Sequence, residues 1–270
     1  MDSSPVSPTS VRWRSVALPA EHGGWSFILE PIVLGLLLSP SAAALALGVA
    51  ALALFLLRQP LKIVTRDRRA GRVYARTRLA LRFVLLDAGL VLVAALIVLV
   101  LLPDPAALIP LALALPLVAL QIRYDVENQS RAAVAEMAGA LVTGSLTAAM
   151  VMMHGWSLLA ALGIWAILAL KAAAAVLYVR ARLRLERKKP AATRQAVGFH
   201  GAATVLLALA AVARVVPVTA PLVLAILTAR AAWGLSARRT AYPAKIVGMQ
   251  EVGYGVLSIV LIALGYAAGF

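Results

Sequence analysis

An all-helical, polytopic membrane bundle of nine spans is the fold class this sequence predicts. Three observations lead to it. The 270 residues are 63% hydrophobic and only 14% charged, against about 25% charged in ordinary soluble domains. Apolar runs of span length recur along the whole chain, each near the roughly 20 residues a helix needs to cross about 30 Å of hydrocarbon. All but two of the 26 Lys and Arg fall at alternate junctions between these runs, the asymmetry that orients membrane proteins.

The spans follow in order. The first runs from Leu18 to Leu38, opens on Glu21-His22-Gly23-Gly24-Trp25 and carries Glu30-Pro31 inside. The second covers Ser41 to Leu57 and the third Phe83 to Leu102. The fourth, Ala106 to Ile122, contains Pro110 and Pro116. The fifth is Ala132 to Met153, and the sixth, Trp156 to Val179, carries Lys171. The last three are Ala196 to Val216, Val218 to Leu235, and Val247 to Tyr266. Residues 1–15 are expected to form a disordered cytoplasmic tail, and 16–270 a single transmembrane domain.

Charge then sets the sidedness. Basic residues crowd the N-terminus, the stretch from Arg58 to Arg82, the pair Arg123 and Arg131, the stretch from Arg180 to Arg194, and the region from Arg230 to Lys245. The intervening junctions read Ser39-Pro40-Ser41, Pro103-Asp104-Pro105, His154-Gly155 and Pro217. The basic side is cytoplasmic, so the N-terminus is inside and the C-terminus outside. The two long basic junctions lack Gly/Ser runs and read as helix extensions rather than flexible linkers.

The net charge of +15 lies beside apolar spans. There it meets anionic lipid; it does not form the basic face of a nucleic-acid binder. Membrane lipids are therefore the expected partners, and nucleic acid is not. The chain has no cysteine, which excludes disulfides, thiol nucleophiles and thiolate metal sites. A Walker-type glycine loop is missing, so the chain alone is not expected to do ATP-driven work.

Ionisable groups inside a membrane helix are costly and mark function or helix pairing. Glu21 and His22 open span one, and Glu30 lies roughly 14 Å deeper by helical rise. Asp87, Glu136, His200 and Glu251 lie early in spans three, five, seven and nine. Lys171 can snorkel, or pair with Glu136 or Glu30. Asp125 and Arg131 have the makings of a loop salt bridge. Trp13, Trp25, Tyr124 and Tyr178 fit an interfacial aromatic belt, and Gly23-Gly24, Gly253 and Gly255 suit close helix packing. These polar groups gather in the cytoplasmic half, which suggests a polar cavity open to the cytoplasm.

Arg58, Lys62 and Arg66 recur every four residues and share one face of a helix leaving span two, with Asp67 the acid among them. Tyr178 and Arg182 repeat that spacing at the end of span six. Two basic helix ends suit an anionic head group, because Arg makes bidentate contacts to phosphate or carboxylate; a solvated basic face beside lipid accounts for the same spacing. The ligand-binding set is Arg58, Lys62, Arg66, Asp67, Arg123, Asp125, Arg131, Lys171 and Arg182. Glu21, His22 and Glu136 are the acid–base candidates, and no metal site is expected.

The opening Pro19-Ala20-Glu21-His22-Gly23-Gly24-Trp25, with Glu30-Pro31 and Gly35 behind it, resembles the start of the YwiC-like family of bacterial membrane proteins. Arg58-Gln59-Pro60-Leu61-Lys62, Asp67-Arg68-Arg69, and Tyr124-Asp125 through Arg131, Glu136 and Gly139 resemble it too. The resemblance implies a multi-pass protein of the bacterial cytoplasmic (inner) membrane, without implying a reaction.

A more distant similarity is to the UbiA-type intramembrane prenyltransferases. Those have nine helices, a cytoplasm-facing cavity and functional segments after helices two and six. Their two aspartate-rich motifs hold Mg²⁺ and a prenyl diphosphate. The matching places here carry Arg58 to Arg69 with only Asp67, and arginines through Tyr178 to Glu186. Carboxylate oxygens are the natural Mg²⁺ ligands and Arg offers no acceptor, so neither Mg²⁺ nor another cofactor is expected. What the sequence supports is an anionic, amphipathic ligand of the lipid- or isoprenoid-phosphate type. A small-molecule transporter and a membrane assembly protein are the alternatives.

Overall fold

The computed structural model describes residues 12–19, 22–127, 129 and 132–269, with the backbone only at 22 and 23. Ten α-helices follow one another: α1 (Trp13–Ala17), α2 (His22–Leu38), α3 (Ala42–Arg69), α4 (Ala75–Leu101), α5 (Ile109–Val126), α6 (Ala133–Met153), α7 (Leu158–Glu186), α8 (Thr193–Val212), α9 (Thr219–Gly234) and α10 (Ala244–Ala267). A 3₁₀ turn, Pro105–Leu108, leads into α5. The described residues contain no strand. Each of the nine apolar stretches expected from the sequence is helical. Seven of these helices are long and apolar enough to cross a membrane, while those at Gly24–Leu38 and Thr219–Gly234 are shorter. Together they make an integral membrane protein.

Local chemistry places the helix ends. The hydroxyls of Ser41 and Ser157 accept from the backbone N–H of Ala44 and Ala160 at the starts of α3 and α7, supplying partners to otherwise orphaned donors. Asp104 does the same for Ala106 ahead of the 3₁₀ turn. Gly155 takes a left-handed backbone (φ 86°) in the short α6–α7 turn, a conformation that costs a glycine little. The long basic junctions are largely helix extensions. α3 runs on through Pro60 to Arg69, α4 starts at Ala75, and α7 continues to Glu186. Trp13 to Ser15, within the stretch read as a tail, belong to α1, whose Val16 and Ala17 are buried; α1 packs on α3 and α4.

Small residues set the packing. α6 buries Ala135, Ala138, Ala140, Gly144, Ala148 and Ala149 and touches α2, α3, α5 and α7. Small side chains let helices approach closely where lipid removes any hydrophobic drive between them. α2 lies between α6 and α10. It joins a core of Leu34, Ile164, Leu207, Leu224 and Ile262 to a second one around Ile32, Leu47 and Met150. The Thr147 hydroxyl donates to the Pro31 carbonyl across α6 and α2 (2.7 Å). α4 instead turns Leu85, Leu92, Leu99 and Val100 outward.

Gly35 on α2 takes its size from Met150, whose side chain fills the space a Cβ would need. Gly35→Val is expected to destabilise the protein by about 1–3 kcal/mol through overpacking, read as a lower unfolding midpoint in detergent. Gly89→Ala, where a Cβ meets nothing within 4 Å, should leave the midpoint unchanged.

Candidate functional site

One end of the bundle collects the basic residues. The late turns of α3 and α5 pair there, and the end of α7 bonds to the start of α6 and to the α9–α10 connection. On α3, Arg58 and Lys62 stand one turn apart and converge on Asp125 of α5. Arg58 Nη2 reaches both carboxylate oxygens (3.0 and 2.7 Å), and Lys62 Nζ lies 3.5 Å away. The two cations remain 37% and 45% exposed. Asp125 therefore pairs with α3. Arg131, its expected partner, lies outside the described residues, as do Glu21 and the side chain of His22.

Arg66, a further turn along α3, leaves this group and approaches Asp67 at 3.8 Å. Asp67 is buried, and it accepts two hydrogen bonds from Arg76 (2.9 and 3.1 Å) and one from the Thr77 hydroxyl (2.7 Å). Thr77 in turn accepts from the Tyr74 backbone N–H (3.0 Å). This carboxylate ties the end of α3 to the start of α4. Asp67 lies beyond the apolar part of α3, which stops at Leu57. Its hydrogen bonds from Arg76, then from Thr77, hold the carboxyl below its usual range despite the opposing effect of burial. Arg123 points elsewhere, to Glu127 one turn on (3.0 Å), with most of its side chain exposed. Such a surface pair contributes little to stability.

A second group forms where α7 ends. Glu136, at the start of α6, accepts from Arg180 at 2.7 Å. Arg182 is buried, donates to the carbonyls of Gly234 and Thr240, and sits 2.9 Å from Glu186. Arg239 approaches the same Glu186 oxygen at 3.9 Å. A cleft of about 370 Å³ opens beside them, lined by Leu183, Glu186, Arg187, Tyr242, Pro243 and Ala244.

Deeper in the bundle two more ion pairs cross between helices. Lys171 of α7 donates to Glu30 of α2, so of the two partners open to it the structure selects Glu30. Arg230 of α9 donates to Glu251 of α10 at 2.5 Å. Gly255 leaves room for the Glu30 carboxylate, which a Cβ there would strike. Gly24 does likewise for the Phe55 ring, whereas Gly253 faces open space. Tyr178 is not part of an interfacial belt. It is buried with its ring 4.0 Å from the Arg230 guanidinium, while Tyr254 lies 4.9 Å away.

The expected site residues thus divide into separate groups. Arg58, Lys62 and Asp125 come together, and Arg66 sits with Asp67. Arg123, Lys171 and Arg182 each pair elsewhere. Arg230, read from the sequence as one of the charges that set topology, is a site residue sequence reasoning misses. Its signal is its position inside the eighth apolar stretch, five residues before Leu235 ends the run. Among the described residues no three His, Cys, Asp or Glu gather as a metal cage.

Asp67→Asn is expected to lower the unfolding midpoint at pH 7 by loosening the α3–α4 turn. The native carboxyl titrates below its unfolded value, so its contribution is full above the unfolded pKa and disappears as pH falls through the lowered one. The difference between wild type and variant should hold from pH 7 to 5 and narrow below about pH 4. A pH-independent difference in thermal scans would remove the charge from this account.

Neither the curated proteins nor the solved structures contain a match to this chain. A family model described as YwiC-like protein matches residues 18–151, from the start of the first apolar stretch almost to the end of α6. That segment holds Glu30, the α3 cations, the Asp67 turn, Asp125 and Glu136, and through it the chain belongs to the YwiC-like family.

Proposed function

We propose that the basic end of this YwiC-like membrane protein binds an anionic amphipathic ligand of the lipid- or isoprenoid-phosphate type. Arg58 and Lys62 hold the head group, with Arg66 at its margin. The supporting observation is that Arg58 and Lys62 both reach the Asp125 carboxylate and keep much of their surface exposed. Both cations stand within two turns of Leu57, at the edge of the apolar zone. Guanidinium and ammonium donors there can take phosphoryl oxygens without first breaking a buried pair.

In this proposal all nine apolar helices cross the bacterial cytoplasmic membrane, with the N-terminus cytoplasmic and the C-terminus outside. The alternation of basic junctions with ones nearly free of Lys and Arg supports that orientation. A UbiA-like layout is part of the proposal, supported by the order of the helices and by basic extensions after the second and sixth apolar helices. Glu136, held by Arg180, is the acid–base candidate among the described residues.

Native mass spectrometry of gently extracted protein tests the proposal. The wild type should carry a discrete isoprenoid or phosphorylated lipid that the Arg58→Gln/Lys62→Gln double variant loses while staying folded. Bulk phospholipid alone in both samples overturns it.

Transport is a second possibility, favoured by the pairs Lys171–Glu30 and Arg230–Glu251. They place four ionisable groups on four helices inside the bundle, where such groups commonly serve substrate or proton movement. Proteoliposomes should then show counterflow of a phosphate or carboxylate anion that Glu30→Gln largely removes. Absence of wild-type flux for these anions counts against transport.

A further inference from the structure

Arg230 is the buried group whose bonding is least complete. Its side chain is only 6% exposed. Nη1 is used by Glu251, yet Nε and Nη2 are buried and have no hydrogen-bond partner among the described residues. The N–H groups of Nε and Nη2 point the same way along one edge of the guanidinium plane. That edge matches two oxygens of a carboxylate or phosphoryl group. The rings of Tyr178 and Tyr254 lie beside the guanidinium and restrict its tilt by cation–π contact. Glu251 takes the remaining nitrogen, so the Nε–Nη2 edge is held in place.

The surrounding charge also favours an anion. One helical turn from Tyr178, Arg182 and Arg239 share the single carboxylate of Glu186. Among the described residues, Arg230, Arg182 and Arg239 therefore pair with Glu251 and Glu186, three cations against two carboxylates. The neighbouring Lys171 and Glu30 balance one another. The cleft between the end of α7 and the start of α10 is lined in part by Glu186, the partner of Arg182 and Arg239, and its Tyr242 ring lies 5.9 Å from Arg182. Its volume is within the range of small-ligand sites, about 300–1,000 Å³.

We propose that the free edge of Arg230 is a binding site for the oxyanion, carboxylate or phosphoryl, of a ligand admitted at the α7–α10 cleft. This site is distinct from the α3 cations and stands whether or not those bind lipid. Glu251 holds the guanidinium and the two tyrosines fix its plane. Arg182 and Arg239 supply the excess charge on the way in.

The test uses the full-length protein in phosphatidylcholine nanodiscs, titrated calorimetrically with inorganic phosphate, dioctanoyl phosphatidic acid and octanoate. At least one probe should bind the wild type. Arg230→Lys keeps the charge opposite Glu251 but loses the two-donor edge, and should weaken that probe by about tenfold or more. Adding Arg230→Lys to the Arg58→Gln/Lys62→Gln protein should weaken the remaining binding by the same factor, which separates this site from the one on α3. Tyr254→Leu, which frees the guanidinium plane without touching its charge, should weaken binding as well and serves if Arg230→Lys does not fold. Phosphate binding as tightly as phosphatidic acid would identify a free anion as sufficient. Binding of phosphatidic acid or octanoate alone would identify a lipid-borne one. No binding of any probe to the wild type, or equal affinity in folded Arg230→Lys, overturns the proposal.

Discussion

Lys171 and Glu30 hold opposite charges within apolar stretches of α7 and α2, and each depends on the other. Leaving either charge alone in such surroundings costs several kcal/mol, about 3–5 for a broken buried pair. The pair therefore fixes α2 against α7 in both rotation and height. α2 is also the helix that lies between α6 and α10, so its register carries through to both. Gly255 must be small because the Glu30 carboxylate reaches α10, and Gly35 must be small because Met150 of α6 fills the space beside it. A single ion pair in this way constrains which residues four helices can place at their contacts.

The apolar part of the fold was legible because hydrophobic length is a local property. Every stretch predicted to be a span is a helix, and the long basic junctions continue those helices. Pairs within one helix were within reach of spacing alone, as Arg123 with Glu127 and Arg182 with Glu186 illustrate. Partners on different helices were not. Asp125 meets Arg58 and Lys62, 67 and 63 residues away, because α5 and α3 both end at the basic face. Sequence distance favours Arg131 and holds no information about that neighbour. Arg230 and Tyr178 were misplaced for the same reason. Each sits near the end of an apolar run, where composition suggests an interface, while packing of α7, α9 and α10 buries both. The face a side chain presents depends on helix rotation, and α9 and α10 have too uniform an apolar periphery for their sequence to reveal it.

The two halves of the chain contribute differently to the charged interior. The family-matched segment, residues 18–151, supplies Glu30 and the clamp of Asp67 on Arg76 and Thr77. Lys171, Tyr178, Arg230, Glu251 and Tyr254 all come from the remainder. The buried Lys171–Glu30 pair forms only when the second half closes around α2, whereas Arg230 and Glu251 pair within the second half. The helices at the basic end are thus joined by carboxylates shared between two cations, at Asp125 and again at Glu186.

α2 and α9, with 17 and 16 residues, measure about 24–26 Å at 1.5 Å per residue, short of the roughly 30 Å hydrocarbon layer. They are also the helices that carry Glu30 and Arg230, one from each buried pair. A bilayer that meets helices this short thins around them or draws its head groups inward, at a cost of fractions of a kcal/mol for each ångström of mismatch. With α2 and α9 crossing the membrane as proposed, hydrophobic mismatch would be concentrated over the buried charges, and bilayer thickness would become a variable to which this part of the molecule responds. Shorter-chain lipids relieve the mismatch and longer-chain lipids increase it, while the longer α3, α4 and α7 span either bilayer.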